Sequence, residues 1–113
     1  MFREIKIGEK NVPMLAMASA NIYYKHVFGK DAIVTQANAE SAGERIAFYG
    51  EMGFIMAKMA EAKGDRGMLL KLNEESYIEW LDQFEVGDYN GAIKDMAELY
   101  EGQQATKSKA KNE

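Results

Sequence analysis

The chain contains no cysteine and a single histidine. Without cysteine there is no disulfide, no thiolate metal site and no thiol nucleophile, a composition that fits a reducing compartment. With His26 as the only imidazole, a multi-histidine metal centre is excluded, and any Ser-His-Asp arrangement would turn on this one ring. His26 falls in an apolar helical pattern beside Tyr23 and Val27, with no local set of nucleophile and carboxylate, and reads as a packed or surface side chain. No apolar run approaches the roughly 20 residues that span a bilayer. Met1-Phe2-Arg3-Glu4 leads into alternation rather than the continuous apolar stretch of a secretory signal. Positive charge is scarce in the body of the chain: Lys107, Lys109 and Lys111 against Glu113 give the last eleven residues +2 within a net −4, leaving −6 for residues 1–102. An acidic body repels phosphate backbones, so nucleic acid is not an expected partner, and without a spanning apolar run neither is a membrane.

Complete catalytic motifs are also lacking. Gly29-Lys30-Asp31 has neither the first glycine nor the preceding buried strand of a phosphate loop, and Gly64-Asp65-Arg66-Gly67 lacks the third glycine of a dinucleotide fingerprint. Both read as breaks between helices. Glu74, Glu75, Glu79, Asp82 and Glu85 have the spacing of a solvated helix face, whereas paired catalytic carboxylates need a desolvated pocket. No catalytic, cofactor-binding or metal-binding residue is expected, and no enzymatic activity.

What is present fits one small domain. At 113 residues, 47% apolar and 28% charged, the chain has a globular composition. Residues 2–16 alternate with period two around a polar turn at Gly8-Glu9-Lys10-Asn11, which predicts a hairpin whose second strand is confined to an edge by Pro13. Ser19 is the predicted cap of a helix carrying Ile22, Tyr23, His26 and Val27 and stopped by Gly29; Asp31 caps a short one after it. Ser41-Ala42-Gly43-Glu44 matches a capping box that opens the longest helix, to Lys63. Phe48, Met52, Ile55 and Met59 share a face of that helix, and apolar residues on the adjacent faces predict an enclosed central pillar. Gly50 and Gly53 cost about 1 kcal/mol each in a helix interior, which points to close approach of a neighbouring helix. Asn73 caps a fourth helix with Tyr77, Ile78, Leu81 and Phe84 inward and Trp80 at the margin; Asp88 caps a last one, through Tyr89, Ile93, Met96 and Tyr100 to Gly102. The reading is mainly α: a domain of about five helices with an N-terminal β-hairpin over 1–102, and a disordered polar tail over 103–113.

Three segments in this order carry a likeness: Ile5-Lys6-Ile7-Gly8 … Val12-Pro13-Met14, then Tyr23-Tyr24-Lys25-His26-Val27-Phe28-Gly29-Lys30-Asp31, then Tyr77-Ile78-Glu79-Trp80-Leu81-Asp82-Gln83-Phe84-Glu85. Together they resemble the tail assembly chaperones of long-tailed (siphovirus-type) bacteriophages. The stretch from Thr35 to Glu51 offers no distinctive match. The resemblance implies a non-enzymatic, mostly helical protein of the host cytoplasm. It would bind the tape measure protein, keep it soluble, recruit tail tube protein and be displaced as the tube grows. It also implies a longer frameshift product of the same gene as a companion, and the lysine-bearing end, Lys107 to Asn112, is compatible with a slippery codon run.

The family fixes no set of binding residues, so candidates come from the residues themselves. Large aromatics at helix margins dominate interface energetics, which puts Trp80 and Tyr77 first. Tyr23, Tyr24 and Phe28 come second, and the hairpin edge from Val12 to Leu15 third, as a place for strand addition or homo-oligomer formation. Met14, Met17, Met52, Met56, Met59, Met68 and Met96 occur in apolar settings, as flexible core filling or as an adaptable binding surface. Two other readings compete: a helical adaptor with another partner, such as a head-tail connector component or an inhibitor of a host protein, and a small-ligand site or enzyme on a helical bundle around His26.

Overall fold

In the computed structural model residues 1–102 are described in full and residues 103–112 by their backbone; Glu113 is not described. The chain is mainly helical, with a two-stranded antiparallel hairpin followed, among the described residues, by six helices. The strands are β1 (Phe2–Ile7) and β2 (Lys10–Leu15). The helices are α1 (Ala20–Phe28), α2 (Ala32–Asn38), α3 (Ala42–Ala62), α4 (Arg66–Leu70), α5 (Glu74–Leu81) and α6 (Val86–Asn112). The sixth helix, absent from the sequence reading, is α4. Asp65, read only as part of a turn, caps it by accepting from the Met68 amide at 3.2 Å.

The hairpin turns on two residues, Gly8 and Glu9, with Gly8 at φ 63°. A positive φ at the first central position alone is the pattern of a type II′ turn, which matches the twist of the flanking strands. The register pairs Ile7 with Lys10, Ile5 with Val12 and Arg3 with Met14, so Ile5, Ile7 and Met14 all reach the core and are buried. Two strands are marginal by themselves; here one face of the ribbon lies against α3 through β2 and against α6 through β1.

The long helix α3 is the central pillar that the sequence predicts. Ser41 accepts from the Glu44 amide and the Glu44 carboxylate accepts from the Ser41 amide, each at 3.1 Å, closing the capping box. The Ser41 amide first, and then the Ser41 hydroxyl beside the carboxylate, hold the Glu44 carboxyl below its ordinary range. Eleven residues of α3 are buried, Phe48, Met52, Ile55 and Met59 among them. The two interior glycines have the predicted reason. A Cβ on Gly50 would overlap the Tyr89 phenol, and one on Gly53 would overlap the Met96 thioether, both from α6.

Other local expectations change. Ser19 precedes α1 but makes no capping bond with its side chain, and its backbone is already helical. Ile22 and His26 turn outward while Tyr23, Tyr24 and Val27 turn in. Asp31 caps α2 as predicted, and Gly29 ends α1 at φ 71°. On α5 the inward stripe is Tyr77 and Trp80 with Leu81, and Phe84 packs beyond the helix end; Trp80 is 5% exposed and Ile78 56%. The helix is only eight residues long, and the three- and four-residue steps from Tyr77 through Trp80 to Phe84 select one side, leaving Ile78 about 100° away. The last helix starts at Val86, two residues before the expected cap, and passes Gly102, where the sequence reading ends it. The polar tail expected over 103–113 has side chains that lie outside the described residues.

Candidate functional site

The three segments of the likeness meet at one place. Phe54, on the buried face of α3, has its ring 6.4 Å from Phe28, 5.4 Å from Tyr77 and 5.7 Å from Trp80. Phe28 lies edge-on to Tyr77 at 5.2 Å and Tyr24 continues the array to Phe48 at 5.4 Å. At the other end Trp80 meets Phe84 edge-on at 5.0 Å, and the hairpin joins through Lys10, whose ammonium sits 5.7 Å from the Phe84 ring. Edge-to-face and tilted arrangements of this kind contribute beyond the area they bury.

Of the five residues singled out from sequence, Tyr23, Tyr24 and Trp80 are buried, and Phe28 and Tyr77 are partly buried against the core. Tyr24, Phe28, Tyr77 and Trp80 are brought together within the body, with Trp80 reaching a groove wall, while Tyr23 is buried in the core outside this ring array. The methionines divide similarly: Met14, Met52, Met56, Met59 and Met96 are core, while Met17 is exposed. The acidic residues Glu74, Glu75, Glu79, Asp82 and Glu85 are all exposed, as a solvated face requires.

An opening runs beside this array. It is an open groove of about 830 Å³ between β2, α3 and the end of α5. Val12 and Pro13 form one wall, Ala57 and Ala60 the floor, and Trp80 and Phe84 the other wall. Lys10, Lys58 and Lys63 stand around it with Glu61, a local excess of cations on an acidic body. Lys58 is tied to Glu61 at 3.2 Å and lies 6.0 Å from the Phe54 ring. The sequence reading missed Ala57 and Ala60. Their signal is two small residues three apart on an otherwise bulky helix, which brings α3 backbone close to the surface. Apolar walls with cationic rims suit an amphipathic helix carrying acidic flanks.

Polar atoms inside the fold are tied to one another, and Lys30, Glu51 and Tyr77 also line an open hollow of about 350 Å³. The Tyr24 hydroxyl donates to Glu51 at 2.7 Å, and Lys30 reaches the same carboxylate oxygen at 3.2 Å. Burial first, then the Glu51 bond, push the Tyr24 phenol far above its ordinary value. Tyr49 donates to Glu101 at 2.6 Å and accepts from Gln36 at 3.3 Å; burial and the carboxylate push it up to about 12. Tyr77 and Tyr89 share a bond at 3.3 Å and both are pushed up, chiefly by burial. Phenols held this way are donors at neutral pH, suited to tying helices together and unsuited to acting as bases. His26 is exposed and meets the Leu70 carbonyl at 2.7 Å; a carbonyl only accepts, so Nε2 carries the proton.

Among the described residues no cluster of three or more His, Cys, Asp or Glu side chains is placed to hold a metal ion, and no helix is long and apolar enough to cross a membrane. No protein-family model, curated protein or solved structure matches the chain.

Proposed function

We propose that this chain is a tail assembly chaperone of the long-tailed phage type, working without bond chemistry in the host cytoplasm. It binds apolar helical segments of the tape measure protein, keeps that protein soluble and helps recruit tail tube subunits until the growing tube displaces it. The observation that carries this reading is the convergence of the three likeness segments on one aromatic array with an open, apolar-walled groove beside it. A groove of that build accepts one face of a helix through Val12, Ala57, Ala60 and Phe84, while Lys10, Lys58 and Lys63 meet acidic side chains at its margins. Contacts of this type are exchangeable, which a holder that must later let go requires.

The experiment is co-expression with the tape measure protein of the same phage, reading that protein's soluble fraction. The wild-type chain raises the fraction, and Ala60→Glu, which places a carboxylate on the groove floor without removing any packing atom, lowers it. Ile33→Glu, on an exposed position of α2, leaves it unchanged. A tape measure protein equally soluble with and without the chain would sink the reading. Equal solubility with wild type and Ala60→Glu would remove the groove as the contact while leaving the role standing.

A further inference from the structure

We infer that two copies of this chain pair through the outer edge of β1, forming a four-stranded sheet in the order β2-β1-β1-β2 across a two-fold axis. This inference stands independently of the chaperone reading.

The two edges of the hairpin are not alike. Alternation around the Gly8-Glu9 turn fixes which backbone groups each strand turns outward. Ile7 with Lys10, Ile5 with Val12 and Arg3 with Met14 are the bonded pairs, and the series ends with Ala16 donating to the Met1 carbonyl at 2.8 Å. The outward groups are therefore those of Phe2, Glu4 and Lys6 on β1, and of Asn11, Pro13 and Leu15 on β2. On β2 the middle position is proline, which has no amide proton to offer, and the groove lies alongside. On β1 all three outward residues keep their amides, and all three are exposed. The sheet has no third strand, and among the described residues no hydrogen bond reaches those outward groups.

The side chains on that edge choose the occupant. In an antiparallel pairing of β1 with itself, outward residues must face outward residues, which limits the register to steps of two. One register sets Glu4 opposite Glu4 and the next but one sets Lys6 opposite Lys6, and like charges directly opposite are unfavourable. The register between them, centred on Ile5, sets Glu4 of each copy opposite Lys6 of the other. In that register Phe2 of each copy, 59% exposed, reaches past the end of the other's β1 toward its turn. Such a contact is isologous and closes on itself, so it ends at two copies rather than growing into a fibre. It also gives partners to the outward amides and carbonyls of β1.

The test is sedimentation equilibrium over a concentration series. Wild type shows a monomer-dimer equilibrium, and amide hydrogen exchange at Glu4 and Lys6 slows as concentration rises. Glu4→Lys alone and Lys6→Glu alone each place like charges across the seam and weaken dimerisation about tenfold or more. The double variant restores it, and a mixture of the two single variants forms a heterodimer. Both positions are exposed, so far-ultraviolet circular dichroism stays unchanged in every variant. A wild-type chain that is monomeric at all attainable concentrations overturns the inference, even where the same edge binds the tape measure protein. So does a dimer indifferent to both charge reversals.

Discussion

Gly50 of α3 lies directly beneath the phenol of Tyr89 on α6, so closely that a single added methyl would occupy the position of the ring hydroxyl. The hydroxyl is in turn bonded to Tyr77 and its ring lies 6.4 Å from Trp80, so it has little room to yield. Gly50→Ala gains about 1 kcal/mol of helix propensity but overpacks a filled site at a cost of about 1–3 kcal/mol. The expected outcome is a net loss of stability, read as a lower urea midpoint with unchanged slope. Gly53→Ala is milder, because the obstructing group there is the flexible side chain of Met96.

Trp80→Ala removes an indole packed against Phe54, Phe84, Tyr77 and Tyr89. Truncating a buried tryptophan costs about 3–5 kcal/mol, a large share of the 5–15 kcal/mol typical of a domain. A markedly lower thermal midpoint is expected. Any loss of client binding in this variant reports on the fold first, which is why Ala60→Glu is the cleaner probe of the groove.

His26→Ala gives up one exposed hydrogen bond to the Leu70 carbonyl. The expected cost is under about 1 kcal/mol, with the co-expression effect unchanged. A large loss of either would restore His26 as a functional candidate.

Alkaline pH should loosen the joint between α3 and α6. The Tyr49 phenol is raised from 10.0 to about 12 in the fold, so the protonated form is the one the native state favours. The stabilisation is complete below the unfolded value near pH 10 and is lost as pH rises through about 12. Tyr24 and Tyr77 are raised further and act in the same direction. Unfolding free energy measured against pH should fall above pH 10, and Tyr49→Phe should remove part of that dependence. A profile flat through that window would show the phenols to be solvated.

Some helix signals written in side chains adjacent in sequence are legible, although the local signals at Ser19, Asp65 and Asp88 mislead or pass unread. The capping box at Ser41 and Glu44, the cap at Asp31 and the stop at Gly29 were all readable, because each is settled within a few residues. The hairpin was legible for the same reason. The glycines of α3 announced a close neighbour but not which one, since Tyr89 and Met96 arrive from much further along the chain. Trp80 and Ile78 exchanged places because the orientation of α5 depends on what Phe54 and Phe28 offer across the core, and periodicity in so short a helix leaves two faces nearly equal. The groove was least legible. Its floor of Ala57 and Ala60 gains meaning only when β2 and the end of α5 are set on either side of it.

The notches in α3 are filled by the last helix, and β1, from the opposite end of the chain, also rests on that helix. Synthesis therefore delivers the ribbon and the pillar before the piece that completes them. While the polypeptide is still emerging from the ribosome, the concavities at Gly50 and Gly53 stand vacant and the undersides of Ile5 and Ile7 lack part of their cover. A polypeptide cut before α6 would leave those apolar surfaces bare, and exposed surface of that kind favours aggregation.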